Sequence, residues 1–155
     1  KQIEDLLMSD VSASLPEDSL QLLHTHALLM RAQQAYFGNQ PLQAIDLCRQ
    51  ALAHLPLSWT FGRGAAMLFL GLSMQASGQG QSAERLLLDE YESHGDKTDT
   101  YALLVLETLC FIYLHTGQLE RARQVGSVLV QGSTRSGVAF MRGTGEQREP
   151  FLPLL

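Results

Sequence analysis

"FGNQPLQA", residues 37–44, decides how this chain folds. A Gly, an Asn and a Pro interrupt two long helix-like runs, and Ala44 follows Asn39 by five positions. Gly and Asn tolerate the left-handed backbone that ends a helix. Pro41 suits the first turn of a new one, because its missing N–H would have no intrahelical partner anyway. The same spacing returns twice: Gly78 with Ala83 in "ASGQGQSAERL", and Gly117 with Ala122 in "HTGQLERARQV". The turn residues 39, 78 and 117 are thus 39 apart, twice over. A small residue stands seven positions before each turn (Ala32, Gly71, Cys110), and a large apolar one eleven before (Leu28, Met67, Leu106). Four columns in register mark an internal repeat of about 39 residues.

Each column suits a helical hairpin. The turn residue closes the first helix. The small column and the Ala column let two antiparallel helices approach closely, and the large column fills the space between hairpins. The expected fold is all-α: three tandem antiparallel helix pairs forming an α-solenoid. The pairs occupy 14–56, 57–96 and 97–132 within one repeat domain, 14–132. Residues 1–13 read as a leading helix or its remnant. Ser14 and Glu17 have capping-box spacing around Pro16. The helices are expected from there to about Phe37, from Pro41 to near His54, to about Ala76 after a cap by Ser58 or Thr60, over 80–93, from a cap at Asp99 to about Thr116, and over about 119–131. Residues 133–155, with three glycines and two prolines after Gly132, read as a partial helix and flexible tail.

Composition narrows the function. The chain has 155 residues, 45% hydrophobic and 17% charged, enough for one domain with a real core. Its net charge is −5 and its only lysines are Lys1 and Lys97, which disfavours binding nucleic acid through bulk charge. Cys48 and Cys110 lie in apolar helical runs and read as small buried thiols. The most apolar stretch, "TYALLVLETLCFIYL", is interrupted by Glu107 and falls short of the roughly 20 residues of a membrane span. The charged start, "KQIEDLL", does not read as a signal peptide, so the expected location is cytoplasmic. The sequence also does not begin with Met, and the expectation is a fragment of something longer.

The turn, Ala and small-residue columns look like tetratricopeptide repeats. The period exceeds the usual ~34 residues, and Cys48, Leu87 and Gly126 stand where a later aromatic column would be, which marks a longer, divergent form. "NQPLQAIDLCRQALAHLP", "RGAAMLFLGLSMQASGQGQSAERLL" and "YALLVLETLCFIYLHTGQLERARQV" resemble the helical-repeat region of large ATP-dependent bacterial transcription regulators of the MalT-like, LuxR-type class. The resemblance spans roughly residues 20–132. It implies a non-enzymatic sensor or protein-interaction domain that receives an inducer or a partner protein. In that family an ATPase module precedes the repeats and a helix-turn-helix domain follows them. The alternative is a free-standing tetratricopeptide-like scaffold or adaptor with no role in transcription.

No phosphate loop is present: neither Lys follows the Gly-x-x-x-x-Gly spacing. His24 and His26 lie about 200° apart on a helix and cannot share a metal as an i,i+4 pair would, so no metal and no cofactor is expected. "GSVLV" and "GSTRSG" follow no strand and are not nucleophile elbows. His54, His94 and His115 sit near helix ends, where they interact with the dipole, and Asp89–Glu90 reads as a solvated face. The Met67, Leu70, Met74 stripe reads as core. The first helices of the pairs line the concave face of a solenoid. Its inward columns hold His26, Leu29, Gln33 and Tyr36, then Ala65, Leu68, Leu72 and Gln75, then Leu104, Glu107, Phe111 and Leu114. The expected groove is therefore His26, Gln33, Tyr36, Leu68, Leu72, Gln75, Glu107 and Phe111. Glu107 is its polar anchor, for a cation or a hydroxyl-rich small molecule. Leu119, Val125, Val128 and Leu129 are expected to leave the last repeat edge apolar. That edge would favour self-association or docking of "EPFLPLL", residues 149–155.

Overall fold

A computed structural model describes residues 16–136, and these are six α-helices with no strand. They are α1 Glu17–Phe37, α2 Pro41–His54, α3 Thr60–Ala76, α4 Gly80–Ser93, α5 Thr100–His115 and α6 Leu119–Ser136. Each helix packs against the next, and the first members of the pairs also pack on one another, α1 on α3 and α3 on α5.

The three tight turns are built alike. Asn39, Gly78 and Gly117 have φ of 56°, 81° and 72°, the left-handed region. After each, a Gln N–H reaches back to a carbonyl five residues earlier at 2.8 Å: Gln40 to Ala35, Gln79 to Met74, and Gln118 to Tyr113. A second bond joins the turn residue itself to Tyr36, Gln75 or Leu114. Together these form the Schellman motif, which satisfies carbonyls a helix end would otherwise leave bare. Five residues past each turn residue, Ala44, Ala83 and Ala122 are buried. The small column is also buried at Ala32, Gly71 and Cys110. A Cβ on Gly71 would come within 2.8 Å of Thr108 Cγ2 and 3.0 Å of Leu87 Cδ1, so three helices meet there.

Other joints rely on side chains. Asp99 caps α5 as expected, its Oδ1 accepting from the Ala102 N–H at 2.9 Å. Its other oxygen pairs with His94 Nε2 at 2.9 Å, so His94 ties down the α4–α5 loop rather than simply facing a helix dipole. Arg63, on α3, donates to the Leu52 and Leu55 carbonyls at the end of α2, both at 3.2 Å. Lys97 does the same for α4, donating to the Tyr91 and Glu92 carbonyls. Two Tyr–Glu bonds zip α4 to α5: Tyr101 Oη to Glu90 at 2.5 Å and Tyr113 Oη to Glu84 at 3.1 Å. Each phenol ring also lies near a guanidinium, Arg63 or Arg121.

Several expectations need correction. Neither Ser58 nor Thr60 caps α3: it begins after Trp59 with no side-chain cap. α1 starts after Pro16, and the proposed Ser14 cap and the 1–13 leader lie outside the described residues. The sixth helix continues past residue 131 to Ser136, so residues 133–136 belong to it and not to a new partial helix. Ser133 is buried there. Residues 137–155 lie outside the described part. Glu90 is not simply solvated, since it holds Tyr101, whereas Asp89 is exposed beside Arg85. The expected apolar edge on α6 is present in part: Leu119 and Val128 are exposed, at 36% and 44%. Leu129 is fully buried and Val125 half-buried, and Glu120, Arg123, Gln124, Gln131 and Thr134 share the outward side with the two exposed apolar residues. The helix thus turns part of its apolar residues inward and leaves a mixed outer surface.

Candidate interaction surface

Among the described residues, the packing order leaves one side of α1 and α3 without a helical neighbour. On α1, residues three or four apart place Leu22, His26, Met30, Gln33 and Phe37 on one stripe. On α3 the same spacing lines up Phe61, Ala65, Leu68, Leu72 and Ala76. None of these ten side chains is charged. Phe37 is 72% exposed, Phe61 60% and Met30 41%. Six of the eight large exposed apolar side chains among the described residues lie between Leu22 and Phe61. An apolar patch of this kind on a folded chain marks an interaction site more often than an accident.

The seam between the stripes is aromatic. Phe69 on α3 meets Tyr36 at 5.9 Å and Phe37 at 6.1 Å between ring centres, and Tyr36 and Phe37 meet at 5.2 Å. At the other end the His26 ring lies 4.2 Å from that of Trp59. Its Nδ1–H donates to the Leu22 carbonyl at 3.1 Å, leaving Nε2 as the free position of the ring. Tilted and edge-on pairs at these distances hold the rings rigid and keep their faces available.

The structure brings together most of the residues expected to line a groove. His26, Gln33, Tyr36, Leu68 and Leu72 are half-buried on the α1–α3 face. Gln75 is half-buried too, but its Oε1 lies where a Cβ of Gly80 would stand, 2.3 Å away, so it packs over the α3–α4 turn. Phe111 lies away from them on α5, stacked against His115 at 6.3 Å. Glu107 is the main departure, being buried at 5% exposure. α5 is apolar around its whole circumference, and every residue from Tyr101 to Cys110 is buried. Such a helix belongs inside a protein, so a carboxylate on it lines no open wall. Missed in the sequence were Phe37, Phe61, Met30 and Phe69. The helical spacing that groups them was available, but nothing in it says which stripe lacks a neighbour.

Two shallow grooves open between α1 and α2. One, about 420 Å³, is rimmed by His24 and His54 over Leu20 and Leu28. The other, about 310 Å³, is lined mainly by Arg31, Gln34, Gln40 and Gln43. Cys48 and Cys110 are free and buried, and burial pushes the Cys48 thiol up to about 12, which makes it inert. Met67, Leu70 and Met74 are core. No group of three His, Cys, Asp or Glu able to hold a metal occurs among the described residues, and no helix there is long and apolar enough to cross a membrane.

Fold and surface together define a class: an all-helical chain that shows solvent an uncharged, aromatic-rich stripe. No protein-family model, curated protein or solved structure matches it.

Proposed function

We propose that this chain is a non-enzymatic interaction module, a tetratricopeptide-like α-solenoid of three hairpins with a period of about 39 residues. Its α1–α3 stripe would dock an apolar face of a partner protein or peptide. The observation that carries this reading is the stripe itself: ten side chains at helical spacing on two packed helices, without one charge among them. Burying Phe37 and Phe61 would supply affinity at about 25 cal/mol per Å² before the costs of association. An amphipathic helix laid in a groove between helices is a familiar way to use such a surface. The sequence resemblance to MalT-like, LuxR-type regulators supports reading the module as part of a bacterial, cytoplasmic transcription regulator. There the docked partner, or an inducer in its place, would report to the flanking domains.

The test is a panel of fluorescent amphipathic helical peptides with uncharged aliphatic faces, titrated against the full chain and followed by anisotropy. Saturable binding is expected from at least one. The double substitution Phe37→Glu, Phe61→Glu should weaken it more than tenfold with the helical circular dichroism unchanged, because both side chains are exposed. Binding that survives the double substitution would move the site elsewhere. In calorimetry with ATP and Mg²⁺ the chain should give no saturable heat.

A further inference from the structure

We infer that the smaller α1–α2 groove, beside the turn at Asn39, binds a small monocarboxylate that carries hydroxyl or amide groups. The site is separate from the α1–α3 stripe and does not rest on reading that stripe as a docking surface.

The groove has a volume of about 310 Å³, at the small end of ligand sites, which run to about 1,000 Å³. That size suits a metabolite and not a stretch of chain. Ala35 and Leu47 give it a buried floor. Its rim is Arg31, Gln34, Gln40 and Gln43. No acidic side chain lines it, although the chain as a whole carries a net charge of −5.

The other two turns explain why the groove opens here. All three are built alike, so residues 39 apart occupy matching places. Before the turn residue stand Gly38, Ser77 and Thr116, with φ of −78°, −88° and −98°. Ser77 Oγ donates to the Met74 carbonyl and accepts from the Gln79 amide, both at 3.0 Å. Thr116 Oγ1 donates to the Ile112 carbonyl at 2.8 Å and accepts from the Gln118 amide at 2.9 Å. Gly38 has no hydroxyl to hold Gln40 in this way, and the Gln40 side chain does not cap its own helix. Its amide stands on the rim of the groove instead. The floor follows the same pattern, because Ala35 stands where Met74 and Tyr113 fill space. Arg31 matches Leu70 and Leu109, and Gln34 matches Ser73 and Ile112, all four of them buried. The first pair thus puts small or polar residues where the other two are filled or satisfied within themselves.

The chemistry of the rim selects the ligand. A guanidinium holds a carboxylate through two parallel hydrogen bonds in its fork. Each Gln amide offers two N–H donors and an accepting oxygen, which suits hydroxyl or amide groups beside that carboxylate. One guanidinium balances one negative charge. No lysine or second arginine lines the groove to meet the second charge of a phosphate.

The experiment uses the full chain and ligand-observed NMR, which detects binding in the millimolar range. Gluconate, glycerate and N-acetylglutamine are the carboxylate probes. Glucose, glycerol and N-acetylglutamine amide are their neutral counterparts, and inorganic phosphate is the anion control. At least one carboxylate should bind saturably, and its neutral counterpart should bind roughly tenfold more weakly or worse. Arg31→Gln should weaken the carboxylate by a similar factor. Gly38→Ser should do so too, because a hydroxyl there restores the Ser77 arrangement and takes up the Gln40 amide. Ser77 adopts nearly the backbone of Gly38, so this variant should keep or raise the thermal midpoint, which separates loss of the site from loss of the fold. Silence from all three carboxylates overturns the proposal. So does equal binding of the neutral counterpart, tighter binding of inorganic phosphate, or unchanged affinity in Arg31→Gln or in Gly38→Ser.

Discussion

Asn39 shows how much one backbone angle asks of a residue. At φ 56° it occupies the conformation that Gly holds at 78 and 117. Asn tolerates it better than other side chains, and Gly better still. Asn39→Gly should be neutral or slightly stabilising, whereas Gly78→Ala should cost about 1–2 kcal/mol, read from urea unfolding midpoints at constant slope. Nothing lies within 4 Å of a Cβ built on Gly78, so that cost would be conformational and not a clash. Cys48 makes a second residue-level prediction. Its thiol, raised to about 12 by burial, should resist Ellman's reagent at pH 8 and react only as the chain unfolds in urea. Immediate reaction in buffer would mean that α2 opens locally.

Between elements, small residues and a few polar bridges set the spacing. Ala83→Leu would force a branched side chain into a fully buried position and should cost about 1–3 kcal/mol. The α4–α5 zipper makes a pH-dependent prediction. Burial, and the hydrogen bond to a carboxylate, raise the Tyr101 phenol above its usual value, and Tyr113 is raised for the same reasons. An unfolded chain releases those protons near pH 10, while the folded chain still holds them. Above that pH the unfolded state binds fewer protons, so stability falls as pH rises. Below pH 10 this contribution is fully present. Tyr101→Phe should flatten the alkaline loss while lowering stability at neutral pH, both measured by denaturant unfolding from pH 7 to 11. Arg63 joins three elements at once, through two α2 carbonyls and the Tyr101 ring. Arg63→Lys should recover little of what Arg63→Ala loses, because an ammonium cannot reproduce the planar fork.

At the scale of the whole molecule the outer faces of α6 and of α1 and α3 differ. α6 turns mostly charged and amide side chains outward, with Leu119 and Val128 among them, whereas α1 and α3 turn Met30, Phe37 and Phe61 outward. The polar face suits an end that meets water. The apolar one suits a surface that meets protein. Substituting exposed α6 residues, Arg123→Ala or Gln131→Ala, should therefore leave peptide binding within about twofold. Each change on the stripe should cost more, and anisotropy titrations on the same preparation compare the two directly.

Local chemistry was legible from the residues alone. A left-handed turn needs Gly or Asn, close helices need Ala or Gly, and both needs fall at fixed distances along the chain. The turns at 39, 78 and 117, the buried alanines, the Asp99 cap and the buried thiols were readable for that reason. What a helix does with its remaining sides depends on which neighbours arrive, and helical spacing is silent about that. Glu107 read as a groove anchor because its column faces inward, yet α5 is enclosed and the carboxylate is buried with it. Of the four α6 residues that read as an open edge, Leu119 and Val128 are exposed, whereas Leu129 packs inward and Val125 is half-buried. Leu68 read as part of an inward groove, while its stripe neighbours Leu22, Met30, Phe37 and Phe61 were not singled out. Only the tertiary packing, which encloses α5 and leaves Met30, Phe37 and Phe61 exposed, separates a surface from a core.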